Sequence, residues 1–303
     1  MSAGVVLQQM IIIFLLIMTG YFVYKKGIVQ DSIAKGISAL VVNVCNPALL
    51  IRSAFDHDSS ITYDKLLYAV AGGAILYAVL FLASWVIPKI LKVEEKWKNH
   101  YALMCLFGNT GFIGIPLVSA VFGDHAVIYV AVFNAYFNFF FYTYGIWLAD
   151  GGKNSFSLKN FLNVGNLSIV LTIVIFIFQI RLPEVLTSTI DYMANTTTFL
   201  AMVVIGISLA RTDLKSIFTE KKLYPFILLR FLVIPVAISF LVRLFIKDEV
   251  VYGVVILMAS VPVANLPLMR VEEVGGDGTV LSKGIILSTV MSLVIIPIVT
   301  LFV

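Results

Sequence analysis

The sequence predicts an all-α polytopic membrane protein with ten transmembrane helices, arranged as two inverted repeats of five in which helices four and nine are broken. Three observations carry this prediction. Of the 303 residues, 60% are apolar and 13% are charged, more apolar surface than a water-soluble fold can cover. At roughly 30 residues for a span and its loop, the length allows about ten spans. Two apolar runs are interrupted at matching places in the two halves.

The first half is expected to contain five spans, near residues 5–24, 33–54, 66–91, 101–122 and 126–149. Lys25 and Lys26 follow the first span and no basic residue precedes it, which is the reverse of a cleavable signal peptide. Most Lys and Arg residues fall in the loops that this order places inside, a bias that normally sets orientation. We therefore expect a multi-pass protein of the cell (plasma) membrane with both termini outside.

The second half is expected to repeat this order, with spans near residues 161–180, 190–210, 223–246, 250–269 and 279–302. Residues 1–150 would form the first five-helix repeat and residues 161–303 the second, joined by a hydrophilic cytoplasmic hinge at 151–160. Pro116 matches Pro267 and Asn46 matches Asn195 at nearly the same offset. Because five is odd, the second repeat must enter the membrane upside down.

The polar residues argue against several classes of protein. Every Asp and Glu falls in a loop or at the end of a span, so the chain lacks the buried acid of a typical proton relay. His57, His100 and His125 are loop residues without metal-ligand spacing. Cys45 and Cys105 lie in spans, and no catalytic triad is evident. We predict neither an enzyme nor a nucleic-acid-binding protein, and no cofactor or metal.

The two interruptions are the best candidates for a functional site. Span four contains Gly108-Asn109-Thr110-Gly111-Phe112-Ile113-Gly114-Ile115-Pro116-Leu117, and span nine contains Ser260-Val261-Pro262-Val263-Ala264-Asn265-Leu266-Pro267. Irregular backbone at this depth is tolerated only inside protein or beside a wet cavity, and two matched breaks point to a transporter's binding site. New helix N-termini favour an anion. The candidate substrate-binding residues are Asn109, Thr110, Gly111, Pro116, Pro262 and Asn265; the alternative is a pair of simple kinks.

The remaining candidates are polar residues inside other spans. Asn46 in span two, and Asn134 and Asn138 on one face of span five, are added to the candidate substrate-binding residues, although asparagine also joins membrane helices by hydrogen bonds. Arg230 lies about two turns inside span eight. We expect it to snorkel to the headgroups, and its part in substrate binding stays open.

These motifs resemble those of the auxin efflux carrier family of membrane transport proteins, which includes the plant PIN-formed carriers and bacterial permeases described for malate and malonate. The likeness runs nearly end to end and also includes Gly20-Tyr21…Lys25-Lys26-Gly27, Asn46-Pro47-Ala48-Leu49-Leu50 and Leu287-Ser288-Thr289…Ser292…Pro297. Two features depart from the family. The central segment is short, and Val263-Ala264 follows Pro262 where many members carry a second proline.

The resemblance implies a crossover of spans four and nine, with a transport unit (spans three to five and eight to ten) sliding against a scaffold (one, two, six and seven). It also implies a homodimer and a carboxylate held near Asn109, Thr110, Pro116 and Asn265. We therefore predict a secondary transporter of small organic anions, working by alternating access of the elevator type in a lipid bilayer. The alternatives are a sodium-coupled organic anion symporter of the bile-acid-transporter type and a ligand-binding membrane sensor that does not transport.

Overall fold

The computed structural model describes residues 3–55, 62–152, 161–211 and 219–302. The predicted hinge therefore lies mostly outside the described residues. Within these ranges the chain forms twelve helices: α1 Ala3–Lys25, α2 Asp31–Phe55, α3 Tyr63–Ile90, α4 Lys98–Leu106, α5 Thr110–Phe122, α6 Asp124–Ala149, α7 Val164–Phe178, α8 Glu184–Arg211, α9 Leu223–Arg243, α10 Glu249–Ser260, α11 Leu266–Glu273 and α12 Thr279–Thr300.

The helices have the length and surface of membrane spans. Seven of them, in the part of the chain described, are long and apolar enough to cross a membrane: α1, α2, α3, α6, α8, α9 and α12. Three shorter apolar helices are α5, α7 and α10. Large apolar side chains such as Leu82, Trp85 and Phe240 are more than half exposed, as expected where lipid replaces water. This is the surface of a multi-pass membrane protein.

Predicted spans four and nine are each divided into two helices. Span four becomes α4 and α5, and span nine becomes α10 and α11. The second pair begins at Glu249 and ends at Glu273, in each case 151 residues after the corresponding end of the first pair at Lys98 and Phe122. The two elements therefore have equal length, but α10 has twelve residues where α4 has nine, so the breaks lie about one turn apart.

One helix begins earlier than its hydropathy predicts. The seventh span is expected at residues 190–210, but α8 begins at Glu184, directly after Pro183. Its first turns carry Thr187, Ser188 and other polar residues, so the apolar run starts later than the helix. Pro183 is the N-cap residue, and Glu184 places a carboxylate in the first turn, where negative charge stabilises a helix N-terminus.

Polar contacts near the helix ends fall into two groups. The first joins residues on the side that the sequence predicts outside, through the ion pairs Arg52–Asp124 (3.1 Å), Arg52–Asp191 (3.1 Å) and Lys65–Asp248 (2.8 Å). The second joins residues on the side predicted inside, through Arg211–Asp31 (2.8 Å), Arg270–Asp150 (2.6 Å) and His100 with the carbonyl of Asp277 (3.0 Å). Each of these contacts stays within one predicted side.

Helices α1 and α8 pack backbone to backbone at two glycines. A Cβ atom added to Gly206 would lie 2.0 Å from the carbonyl oxygen of Ile17, and one added to Gly20 would lie 2.3 Å from that of Val203. Small residues allow such close approach between membrane helices. The contact joins two helices of the predicted scaffold.

Replacing Gly206 with valine is therefore expected to separate α1 from α8. Overpacking of this kind typically costs about 1–3 kcal/mol, so the melting temperature of the detergent-purified protein should fall by several degrees. Gly36→Ala is the matched control, because a Cβ there meets nothing within 4 Å and alanine favours a helix. Equal melting temperatures for the Gly206 variant and the wild type would contradict this packing.

Candidate functional site

The two breaks contact each other directly through the main chain. The N–H of Asn109 donates to the carbonyl of Pro262 (2.7 Å), and the N–H of Ala264 donates to the carbonyl of Phe107 (2.9 Å). Between these bonds Gly108 pairs antiparallel with Val263. Each unwound segment thus provides hydrogen-bond partners for backbone groups of the other. Irregular backbone is tolerated inside a membrane only when its polar groups are paired in this way or face a wet cavity.

Glycine at position 108 is required by this close approach. A Cβ atom there would lie 2.9 Å from Cγ2 of Val261 and 3.3 Å from its carbonyl oxygen. Both contacts are shorter than normal packing distances. The first glycine of the span-four motif therefore serves the crossing itself, and a side chain at this position would separate the two segments.

Asn109 and Asn265 stand at equivalent places but are used differently. The Oδ1 atom of Asn109 accepts the N–H of Phe112 (3.0 Å) and so caps the start of α5. Asn265 precedes α11, yet its side chain caps none of the described N–H groups of that helix. The side chain of Asn265 therefore does not cap its helix, whereas the Oδ1 atom of Asn109 is already used as a cap.

The same two asparagines line one cavity. The other lining residues come from α8 and α12, and the full set is Asn109, Ile205, Ser208, Leu209, Asn265, Ile285, Ile286 and Thr289. Its volume is about 20 Å³, enough for about one water molecule. An organic solute does not fit a cavity of this volume, so its walls must move apart to admit one.

Two other candidate residues pair next to the break. The hydroxyl of Thr110 donates to Oδ1 of Asn134 (2.7 Å), so these residues lie together at the start of α5. Asn138, one turn further along α6, donates instead to Oδ1 of Asn166 in α7 (2.6 Å). The structure therefore brings Asn134 to the crossing and directs Asn138 toward α7.

Asn46 reaches the break from α2. Its Nδ2 atom lies 3.7 Å from the position that a Cβ on Gly111 would take. Its Oδ1 atom is buried and has no hydrogen-bond partner among the described residues. A buried polar atom of this kind calls for a ligand, a water or a rotated amide. Pro116, by contrast, is buried within α5.

Arg230 does not snorkel, and that prediction is wrong. Its side chain is 0% exposed; Nε donates to the carbonyl of Cys105 (2.6 Å) and Nη1 to that of Ala259 (2.7 Å). These carbonyls belong to the last turns of α4 and α10, where helix ends expose acceptors and partial negative charge. The guanidinium is therefore held by two helix C-termini and does not extend to the lipid headgroups.

Sequence reasoning missed the contributions of α8 and α12. Ser208 and Thr289 line the cavity, and the hydroxyl of Ser288 accepts the N–H of Val263 (3.1 Å). The available signal was a polar residue within an apolar span. Ser288 and Thr289 belong to a motif quoted for the family resemblance, but Ser208 stands alone among apolar neighbours.

A multi-pass membrane protein with two broken, contacting helices belongs among membrane transporters. The sequence profile of the membrane transport protein family matches residues 5–163 and 152–300, so the chain belongs to this family. The predicted resemblance to the auxin efflux carrier family is thereby confirmed.

Two archaeal relatives extend this match along the chain. The chain is 25% identical over 296 residues to an uncharacterized transporter of Methanothermobacter thermautotrophicus, and 25% identical over 305 residues to one of Methanocaldococcus jannaschii. Each alignment covers 96% of both proteins. The printed names of both relatives describe transporters.

The different uses of the two asparagines predict different effects on stability. Asn109→Ala removes the cap of α5 and should cost about 0.5–2 kcal/mol, lowering the melting temperature in detergent. Asn109→Ser retains a capping oxygen and should recover most of that loss. Asn265→Ala removes no cap and should melt close to the wild type. The assignment fails if the Asn265 variant is destabilised more than the Asn109 variant.

Proposed function

We propose that this membrane transporter is a secondary carrier of small organic anions bearing a carboxylate, which it holds at the crossing of α4–α5 with α10–α11. The single observation that carries the proposal is the shared cavity. Asn109 and Asn265 come from the two breaks and Ser208 comes from α8, so one binding site would have walls in both the predicted transport unit and the predicted scaffold. A site between two units is what an elevator mechanism requires.

The charges at the crossing support an anion as substrate. A helix end carries roughly half an elementary charge, positive at the N-terminus and negative at the C-terminus. The guanidinium of Arg230 is bound to the C-terminal ends of α4 and α10 and offsets both. The N-terminal ends of α5 and α11 remain, with roughly one positive charge in total. A single carboxylate matches that field.

A ten-span arrangement of two inverted repeats is part of the proposal. It counts α4–α5 and α10–α11 as one span each and includes the shorter α7. The equal offset of the two broken elements supports the duplication. The separation of polar contacts near the helix ends into two groups supports alternating loop sides. With the positive-inside bias, both termini would lie outside the cell membrane.

The small volume of the cavity supports a mechanism in which the two units move. A cavity of about 20 Å³ must widen before a carboxylate enters. The ion pair of Arg52 in α2 with Asp124 in α6 (3.1 Å) joins the predicted scaffold to the predicted transport unit on the predicted outer side. Sliding of one unit along the other would break it. We propose that the protein works as a homodimer in the bilayer, as the family resemblance implies.

Sodium coupling is the second candidate, and the Oδ1 atom of Asn46 favours it. This atom is a buried oxygen without a partner among the described residues, and amide and backbone oxygens can hold sodium near broken helices. The same amide, rotated, would instead donate a hydrogen bond to a carboxylate. The two candidates differ in one observable, the dependence of flux on sodium.

We expect Asn265→Ala to reduce substrate flux at least about tenfold, since a hydrogen bond to a charged group is worth about 1.5–3 kcal/mol. A thermal-shift screen of dicarboxylates, monocarboxylates and indole acids would select the solute. Its radiolabelled form would then be followed in proteoliposomes. Asn43→Ala is the matched control, because this exposed side chain bonds the carbonyl of Ala39 in its own helix.

Wild-type flux in the Asn265 variant would refute the site. Replacing sodium with choline should leave flux unchanged, and loss of flux in choline would favour the sodium-coupled candidate. Saturable binding without any flux in the wild type would favour the sensor. Each alternative therefore has its own result in one assay.

A further inference from the structure

Arg230 is a buried cation that the proposed function uses only indirectly. Its side chain is fully buried, and none of the ion pairs among the described residues involves it. Its hydrogen bonds go to neutral carbonyls. A lone charge inside a membrane protein is costly and usually marks a functional position. Its surroundings indicate which one.

The guanidinium binds the same register position in both broken elements. Cys105 is the penultimate residue of α4, which ends at Leu106, and Ala259 is the penultimate residue of α10, which ends at Ser260. Nε and Nη1 lie on different edges of the planar guanidinium, and each donates to one carbonyl, at 2.6 Å and 2.7 Å. One rigid, planar group therefore bridges two helix C-termini, a task suited to arginine.

We infer that Arg230 takes the place of a coupling cation and frees this transporter from sodium. In carriers with broken helices, unwound carbonyls and half-helix C-terminal ends coordinate the sodium ion. Here the guanidinium binds carbonyls at two such helix C-termini. The consequence for transport rests on the proposed function, but the occupancy of the carbonyls by Arg230 does not.

The charge balance explains why a cation is needed at this place. Two helix C-termini bring roughly one negative charge together, in a medium where water cannot screen it. Arg230 supplies one positive charge. Removing it leaves two sets of carbonyls facing each other without a partner, and a small cation or a free guanidinium would then be stabilised between them.

The test is the melting temperature of the purified protein in sodium, potassium and choline chloride at equal ionic strength. The wild type should melt at the same temperature in all three. Arg230→Ala should melt several degrees lower in choline. Added methylguanidinium, which replaces the deleted donors, should restore at least half of the loss, because a ligand that binds only the folded state stabilises it.

Arg243→Ala is the matched control. Arg243 lies in the same helix but is partly exposed and pairs with Glu249 (2.6 Å), so methylguanidinium should not restore any stability that its removal costs. Arg230→Lys keeps the charge but loses the planar arrangement of donors that reaches both carbonyls. It should melt between the wild type and the alanine variant, which separates the contribution of charge from that of geometry.

Three results would overturn the inference. The first is a wild type that melts higher in sodium than in choline. The second is an Arg230→Ala variant as stable in choline as the wild type. The third is failure of methylguanidinium to recover this variant, measured either as melting temperature or as yield of monodisperse protein. None of these measurements uses a substrate, so the failure of anion transport would be seen separately.

Discussion

The structure depends on one constraint: every backbone N–H and C=O group inside the bilayer must find a partner in the protein. Two helices break at mid-length, and each break leaves acceptors and donors without their usual helical partners. The two breaks form main-chain hydrogen bonds with each other, one between Asn109 and Pro262 and one between Ala264 and Phe107. Arg230 then donates hydrogen bonds to the carbonyls of Cys105 and Ala259 at the C-termini of α4 and α10. Without this mutual arrangement neither break would be tolerated.

The functional geometry follows from that arrangement. Because α4 and α10 end at the crossing, α5 and α11 begin there, and their N-terminal ends bring Asn109 and Asn265 to one cavity. The cation and the amides have different electrostatic roles. The guanidinium of Arg230 offsets the partial negative charge of the two helix C-termini. The amides of Asn109 and Asn265, at the N-terminal ends, line the cavity. The anion site that we propose would have neither a carboxylate nor an arginine among the residues that line the cavity.

The sequence predicts the chemistry of the site better than its contacts. The glycines, prolines and asparagines of spans four and nine mark both breaks, because those residues have strong local effects on a helix. Local pattern does not predict which face of a neighbouring helix turns inward. Arg230 therefore reads as a snorkelling residue, and Asn134 and Asn138 read as one face although they bond α5 and α7 respectively. The only local signal of Ser208 is that it is a single polar residue among apolar neighbours.

By itself the sequence determined the membrane class, the family, the positions of the breaks and most helix bounds, since these follow from hydropathy, backbone propensity and motifs. The tertiary structure alone decided that the two breaks bond each other, that α8 and α12 complete the cavity, and that a buried guanidinium joins Cys105 to Ala259. These are contacts between residues far apart in the chain. They depend on how helices pack, which no local pattern in one sequence encodes.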